Sequence, residues 1–272
     1  MSDEEPQVFT VGNPPDQRRI AFRRRAPADR GRPGLVWLSG YRSDMESTKA
    51  SALDAEAGRL GLGLLRFDLS GHGRSEGRLE EGTISRWLTE ALAIVRAETE
   101  GPQIFVGSSM GGYLALLAVR ALVEAGEAER LAGLILIAPA VDFTEKLIWE
   151  RISDEARREI VEKGAWRRPS AYSGEPDVFT RALIEDGRKH LLLGDAICIA
   201  CPTAVLQGMR DPDVPYAHAL ALIERLEAPA TLTLIKDGDH RLSRPQDLRL
   251  LVEAVERMAG APLAPLAGRK LG

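Results

Sequence analysis

The sequence has little cysteine and histidine and no long hydrophobic run: it holds two cysteines, four histidines and no stretch of 18 apolar residues. The missing apolar stretch predicts that no helix spans a membrane. A net charge of −4 argues against a nucleic acid as partner. The arginines within residues 18–25 are predicted to form a solvated face of early edge strands. The opening residues MSDEEPQ resemble neither a secretory signal nor a transit peptide, which predicts a cytoplasmic protein.

The two cysteines, Cys198 and Cys201, form a C-x-x-C pattern. A redox pair would open a helix after a strand, whereas this pair precedes the apolar run Thr203–Gln207. A zinc site would need two further ligands at suitable spacing, and none is nearby. We therefore predict that both cysteines are small buried residues and that the protein needs no metal or cofactor.

Apolar runs that are typical of buried strands alternate with helical patterns along most of the 272 residues. Runs such as LAGLILIAPA are continuously apolar, as in strands that are covered on both faces. The alternation predicts an α/β protein with a doubly wound, mostly parallel sheet of eight strands flanked by helices. The predicted strands are Val8–Val11, Arg19–Arg24, Leu35–Ser39, Gly63–Asp68, Gln103–Gly107, Leu131–Ala138, Thr203–Gln207 and Thr231–Lys236. The predicted helices are Ser47–Leu60, Thr83–Glu98, Met110–Glu124, Ser153–Lys163, Val178–Lys189, Tyr216–Leu226 and Arg244–Met258.

Two features complete the organisation. The first two strands have no helix between them, which predicts that they pair antiparallel. Residues 141–200 hold helical segments and no convincing strand, with irregular stretches at Asp142–Glu150 and Trp166–Pro176. We interpret them as a small helical cap inserted over the carboxyl edge of the sheet, where ligands bind in open α/β sheets. Residues 1–272 then form one domain, with a loose tail rich in Pro, Ala and Gly over about 260–272.

The segment GSSMGG, residues 107–112, lies between a predicted strand and a predicted helix. It lacks the lysine of a P-loop and the G-x-G-x-x-G of a dinucleotide site. It fits a nucleophile elbow, which needs a small residue two positions before and two after the serine. Ser109 has Gly107 and Gly111 at these positions, whereas Ser108 has bulky residues there. The spacing therefore favours Ser109 as a nucleophile.

A serine hydroxyl needs a base, and the base needs an orienting acid. After such an elbow they follow in the order Ser, Asp or Glu, His. His72 and His190 precede any plausible acid, and His218 sits early in a helix at a position that normally faces solvent. His240 follows the last predicted strand, in IKDGDHRLS. Position and elimination therefore select His240 as the base.

The acid is expected just after the seventh strand, in LQGMRDPDVP. Asp211 fits the G-x-x-D-x-x-V-P spacing and is favoured. Asp213, two residues later, and Asp142, after the sixth strand, are the alternatives, and both could instead serve turns and helix capping.

The oxyanion that forms during acyl transfer needs backbone N–H donors. These are predicted to be Met110, which follows the nucleophile, and Tyr41, in the loop LSGYRSDM after the third strand. The glycine-rich segment DLSGHGRSEG, Asp68–Gly77, follows the fourth strand without opening a helix. It therefore predicts a tight loop rather than a nucleotide site, with His72 in structural hydrogen bonding.

Together the motifs G-x-S-x-G, D-x-S-G-H-G-x-S, G-x-x-D-x-x-V-P and a late D-H resemble those of the α/β-hydrolases. The segments SGYRSDMESTKA, LLRFDLSGHGRSEG, GPQIFVGSSMGGYLALL and GDHRLS resemble one subgroup in particular. It contains the mitochondrial palmitoyl-protein thioesterase that also hydrolyses acyl glucuronides, and its bacterial relatives. The resemblance implies the α/β-hydrolase fold, a triad of Ser109, Asp211 and His240, and hydrolysis of esters and thioesters of medium or long acyl chains.

We therefore predict a serine hydrolase that cleaves carboxylic esters or thioesters through an acyl-enzyme. Apolar and aromatic residues of the insertion are expected to line its acyl pocket, although any of them could instead pack the insertion onto the sheet. These residues are Leu147, Ile148, Trp149, Trp166, Tyr172 and Phe179. A ligand receptor with slow turnover on the same fold, and a hydrolase of C–C or amide bonds, remain as alternatives.

Overall fold

The computed structural model describes residues 5–170 and 174–260. The predicted loose tail lies, beyond Gly260, outside the described residues. An eight-stranded sheet has the order β1-β2-β4-β3-β5-β6-β9-β10. Its strands are β1 Gln7–Val11, β2 Arg18–Arg25, β3 Gly34–Leu38, β4 Leu64–Phe67, β5 Gln103–Ser108, β6 Leu131–Ile137, β9 Thr203–Gly208 and β10 Ala230–Ile235. All eight predicted strands are therefore present.

Strand direction in the sheet is mixed only at one side. β1 pairs antiparallel with β2, and β2 pairs antiparallel with β4. The five remaining pairings are parallel. The predicted mostly parallel sheet and its antiparallel first pair are confirmed. Because the parallel strands end at one edge, the loops after β3, β5, β9 and β10 meet there.

Helices cover both faces of the sheet. They are α1 Thr48–Leu60, α2 Ile84–Glu98, α3 Met110–Glu124, α4 Asp154–Lys163, α5 Arg181–Gly187, α6 Tyr216–Arg225 and α7 Pro245–Gly260. Leu53 of α1 and Leu251 of α7 belong to one buried cluster. Ile84 of α2, Tyr113 of α3 and Ala219 of α6 belong to the other. The helix α3 is buried around most of its surface because it runs directly beneath the sheet edge from β5.

The insertion between β6 and β9 contains strands that the sequence did not predict. β7 Ala165–Arg168 and β8 Asp177–Thr180 form an antiparallel hairpin in which Trp166 faces Phe179. The predicted helix from Val178 was therefore wrong at its start, since α5 begins at Arg181. Thr144–Trp149, expected to be irregular, form a π-helix. A strand of four residues is too short to show an alternating pattern, which explains the missed hairpin.

Two buried carboxylates hold the insertion in place, one by bonds within it and one by bonds to α2. The Asp142 carboxylate, at φ 54°, accepts hydrogen bonds from the Leu192 and Leu193 amides at 2.8 and 2.9 Å. The Asp186 carboxylate of α5 accepts from the backbone N–H and the hydroxyl of Ser85 at 2.7 and 2.8 Å. The Asp142 carboxylate is therefore bound by backbone amides, whereas the carboxylate that contacts His240 is that of Asp211, so the alternative of Asp142 as triad acid was wrong.

Three local predictions were wrong in whole or in part. Cys201 is buried, but Cys198 is exposed and its thiol contacts Glu227, because this segment is irregular rather than part of a strand. Arg19, Arg24 and Arg25 of β2 are exposed as predicted, but Arg18 pairs with the fully buried Glu90 carboxylate at 2.6 Å. His218 does not simply face solvent: its Nε2 lies 2.7 Å from the carbonyl oxygen of Val141.

Candidate active site

The turn from β5 to α3 holds Ser109 in the left-handed region, at φ 54° and ψ −120°. A Cβ on Gly107 would lie 2.2 Å from the Gly111 carbonyl oxygen, and one on Gly111 would lie 2.1 Å from the Leu38 carbonyl oxygen. Neither position can hold a side chain, so the glycine spacing has the steric cause expected of a nucleophile elbow. Both serines line one cavity, but Ser108, the last residue of β5, is buried, whereas Ser109 is half-buried.

The structure brings together the three residues that the sequence predicted as a triad. His240 Nε2 lies 3.0 Å from Ser109 Oγ, and His240 Nδ1 lies 2.8 Å from Asp211 Oδ2. The three residues lie 131 and 29 positions apart in the chain and meet because each follows a parallel strand of the sheet. In this geometry the imidazole can take a proton from the serine while the carboxylate fixes its tautomer.

Asp211 is held from several sides. Its side chain is fully buried. Oδ1 accepts hydrogen bonds from the backbone N–H groups of Asp213 and Val214 at 2.9 and 2.8 Å. Oδ2 accepts from Gln207 Nε2 at 3.2 Å in addition to its contact with His240. The sequence did not predict Gln207, although its place at the buried end of β9 next to the acid was a usable signal.

The predicted oxyanion donors lie on the two loops that flank the nucleophile. Met110 is the first residue of α3, where backbone N–H groups have no acceptor within the helix. Tyr41 follows Gly40, and a Cβ on Gly40 would lie 3.2 Å from the Ser108 carbonyl oxygen and 3.4 Å from Ser109 Cβ. The loop after β3 therefore lies directly against the elbow, and Tyr41 and Met110 both line the cavity at Ser109; their role as oxyanion donors stays a prediction.

The loop Asp68–Gly77 supports that arrangement from below. The buried Asp68 carboxylate accepts from the Met45 amide at 2.7 Å and from the Arg74 amide at 2.9 Å, which joins this loop to the one after β3. Burial raises the pKa of Asp68 to about 6. His72 Nδ1 contacts the Ser70 carbonyl oxygen at 3.2 Å, and burial lowers the His72 pKa to about 4, so the imidazole is neutral at pH 7. The predicted tight loop and structural role of His72 agree with these contacts.

A cavity of about 520 Å³ opens onto Ser109 and His240. The insertion contributes its apolar part, and four of the predicted pocket residues line it. The apolar lining residues that the insertion contributes are Phe143, Leu147, Ile148, Ile152, Trp166 and Phe179. Trp149 is not among the lining residues and its prediction was wrong: the π-helix turns it away, and its ring lies beneath the Arg157 and Arg188 guanidinium groups. Tyr172 lies outside the described residues.

The opposite side of the cavity is polar, and the sequence did not predict it. Ser47 and Lys49 at the start of α1 and Ser243 after His240 line this side. Lys49 Nζ donates to the Arg241 carbonyl oxygen and lies 3.3 Å from Ser243 Oγ. Burial lowers the pKa of Lys49 to about 8. Lys49 follows the loop after β3 by only a few residues, so its position on the chain was a signal for this role.

One group of side chains has the composition of a metal site. Ligand atoms of Asp211, Asp213 and His240 all lie within 4.8 Å of one another. Two of these residues, however, face each other in the 2.8 Å hydrogen bond of the triad, which uses an Asp211 oxygen and a His240 nitrogen. The donor set therefore fits hydrogen bonding, and the prediction that no metal is needed stays a prediction.

Comparison with known proteins identifies the family. A family model described as the alpha/beta hydrolase family matches residues 15–252. The chain belongs to the alpha/beta hydrolase family. A Bos taurus protein named palmitoyl-protein thioesterase ABHD10, mitochondrial, is 35% identical over 244 residues, which are 89% of this chain and 77% of that protein.

Two solved structures extend the comparison. A putative hydrolase from Agrobacterium vitis S4 is 49% identical with a TM-score of 0.90, covering 94% of this chain and 98% of its own. The mouse alpha/beta hydrolase domain-containing protein 10 is 32% identical with a TM-score of 0.81, covering 93% and 98%. The predicted fold class and family resemblance are confirmed. Within residues 5–170 and 174–260, none of the helices has the length and apolar character needed to cross a membrane; the predicted cytoplasmic location stays a prediction.

Proposed function

We propose that this protein is a serine hydrolase that cleaves acyl esters or thioesters through an acyl-enzyme. The observation that carries the proposal is the hydrogen-bonded series Ser109 Oγ–His240 Nε2 at 3.0 Å and His240 Nδ1–Asp211 Oδ2 at 2.8 Å. The backbone strain at Ser109, which presents the hydroxyl at the mouth of the cavity, supports it. Membership of a hydrolase family and the thioesterase name of the relatives agree with it.

The reaction follows from these contacts. Ser109 Oγ attacks the acyl carbonyl carbon as His240 Nε2 takes the hydroxyl proton, and Asp211 stabilises the resulting imidazolium. The amides of Tyr41 and Met110 bind the oxyanion. His240 then passes the proton to the departing oxygen or sulfur, which leaves Ser109 acylated. Water attacks the acyl-enzyme with His240 as base, and the acid is released.

The substrate class is inferred from the shape and lining of the cavity. Its apolar part suits an acyl chain, and its polar part, beside Lys49 and Ser243, suits the leaving group. We propose that residues 141–200 act as the cap of a single domain over 1–272. The preferred acyl-chain length is tested by measuring hydrolysis rates of p-nitrophenyl esters from C2 to C16, of an acyl-CoA and of an S-palmitoyl peptide. A maximum at C2 would contradict a medium- or long-chain acyl group.

The nucleophile is tested by Ser109→Ala, with Ser108→Ala as the matched control. We expect Ser109→Ala to abolish labelling by a fluorophosphonate probe and to lower kcat for p-nitrophenyl esters by about 10⁴-fold or more. Ser108→Ala should retain both, because its hydroxyl is not the one that contacts His240. Normal turnover in Ser109→Ala would sink the proposed mechanism. Turnover slower than ligand dissociation in the wild-type protein would instead favour a receptor.

A further inference from the structure

The side chain of Tyr41 joins the loop after β3 to the insertion. Its hydroxyl donates to the Val178 carbonyl oxygen in β8. Its ring stacks on Phe179, with centroids 5.7 Å apart and planes 15° apart. The residue whose amide is proposed to bind the oxyanion is therefore attached, through its own side chain, to the hairpin of the insertion.

The next residue, Arg42, makes a second attachment, to the segment that leads into β8. Its Nη1 donates to the Pro176 carbonyl oxygen at 2.7 Å, and its Nη2 lies 2.9 Å from Glu175 Oε2. Arg42 adopts φ 58°, a conformation that costs a non-glycine residue about 1–2 kcal/mol. These bonds to the insertion offset that cost and hold the loop in a shape that it would not favour alone.

The other face of Phe179 belongs to the acyl side of the cavity. Trp166 lies opposite Phe179 in the β7–β8 pairing and stacks on it, with centroids 5.8 Å apart and planes 27° apart. Both rings line the cavity. An acyl chain that fills the cavity therefore contacts Trp166 and Phe179, and of these two rings Phe179 is the one that stacks on Tyr41.

We propose that Tyr41 and Arg42 are positioning residues, and that the length of the acyl chain affects kcat through them. The proposal rests on the proposed function. A long chain packs against Trp166 and Phe179 and fixes the hairpin, and the hairpin then fixes the Tyr41 amide at the oxyanion. Binding energy from a part of the substrate that does not react is thus used at the transition state. A short chain leaves the hairpin less restrained and the donor less well placed.

Tyr41→Phe tests the link because it keeps the ring and the backbone amide and removes only the bond to Val178. Tyr113→Phe is the matched control, since the buried Tyr113 hydroxyl likewise donates to a backbone carbonyl, that of His190, at 2.6 Å. Both variants lose one buried hydrogen bond, so a loss of stability alone would be similar in the two. The measured quantity is the ratio of kcat for p-nitrophenyl laurate to kcat for p-nitrophenyl butyrate.

In the wild-type protein we expect this ratio to exceed one. Tyr41→Phe should lower kcat for both esters, by about ten-fold more for the laurate than for the butyrate, with little change in KM. Tyr113→Phe should leave the ratio unchanged. Arg42→Ala, which keeps the Tyr41 side chain, should lower the ratio in the same way and serves if Tyr41→Phe does not fold.

The inference is overturned if Tyr41→Phe lowers kcat equally for both esters, or if Tyr113→Phe lowers the ratio as much. It is also overturned if the wild-type ratio does not exceed one. Failure of the proposed function has another signature, because it would appear as full activity in Ser109→Ala. An inactive Ser109→Ala variant together with an unchanged ratio in Tyr41→Phe would retain the serine mechanism and remove only this link.

Discussion

Replacing Asp211 by Asn changes one oxygen of the proposed triad to an NH₂ group without changing its size. The new carbonyl oxygen is expected to take the Oδ1 position, because two backbone N–H groups, those of Asp213 and Val214, donate there. The NH₂ group then faces His240 Nδ1. Because the Asp211 side chain is fully buried, water has no access to correct this arrangement.

The consequence is a change of imidazole tautomer. An NH₂ group donates, so His240 Nδ1 must become the acceptor and the ring proton must move to Nε2. A protonated Nε2 cannot accept the proton of Ser109. Gln207 cannot turn to accept a hydrogen bond from the new NH₂ group, because its Nε2 donates to the Gly208 and Val214 carbonyl oxygens at 3.1 and 2.9 Å. The equivalent change in a serine protease lowers kcat about 10⁴-fold, which corresponds to about 5 kcal/mol.

We therefore expect Asp211→Asn to lower kcat for p-nitrophenyl butyrate by about 10³- to 10⁴-fold with little change in KM. Asp237→Asn is the matched control: Asp237 also lies near His240 in the chain, but it is exposed and pairs with Arg244 at 2.8 Å. It should keep kcat within about two-fold, as expected for a surface change. If folded Asp211→Asn retains more than a tenth of wild-type kcat, Asp211 does not orient His240, and Asp213→Asn becomes the next variant.

Two further predictions concern stability. Gly111→Ala should lower the free energy of unfolding by about 3 kcal/mol or more, because its Cβ would lie 2.1 Å from the Leu38 carbonyl oxygen. Gly126→Ala is the control and should lower it by only about 1–2 kcal/mol, because its Cβ would enter open space at φ +76°. Both losses are measured by urea titration, and equal losses would refute this reasoning. Burial lowers the Lys49 pKa from 10.5 to about 8, so between these values the unfolded chain binds a proton that the folded chain does not, and Lys49 adds stability as pH rises. The unfolding free energy of wild type minus that of Lys49→Met should therefore increase from pH 7.5 to 9.5. The same difference for Lys163→Met, a variant of an exposed lysine, should stay constant. A constant difference for both variants would contradict the prediction.

The central strands of the sheet, β3 to β6 and β9, could be predicted because they are buried on both faces and therefore appear as continuous apolar runs. The hairpin β7–β8 could not. Its strands have four residues each, and Arg168 and Asp177, which pair with each other at 3.0 Å, interrupt any apolar pattern. Trp149 was assigned to the cavity together with Leu147 and Ile148 from the apolar and aromatic composition of the insertion, and only the π-helix separates them, since Leu147 and Ile148 line the cavity and Trp149 does not.

In the candidate site, residues that local spacing identifies could be predicted, whereas contacts between residues far apart in the chain could not. Ser109 could be selected because its glycines lie two residues away, within one turn, and a steric rule applies there. The bond from Tyr41 to Val178 spans 137 positions, and that from Lys49 to the Arg241 carbonyl oxygen spans 192. No spacing rule connects such residues, since the fold alone brings them together. Chemistry at the ends of parallel strands is therefore predictable from sequence, whereas the contacts that would adjust its rate and selectivity require the structure.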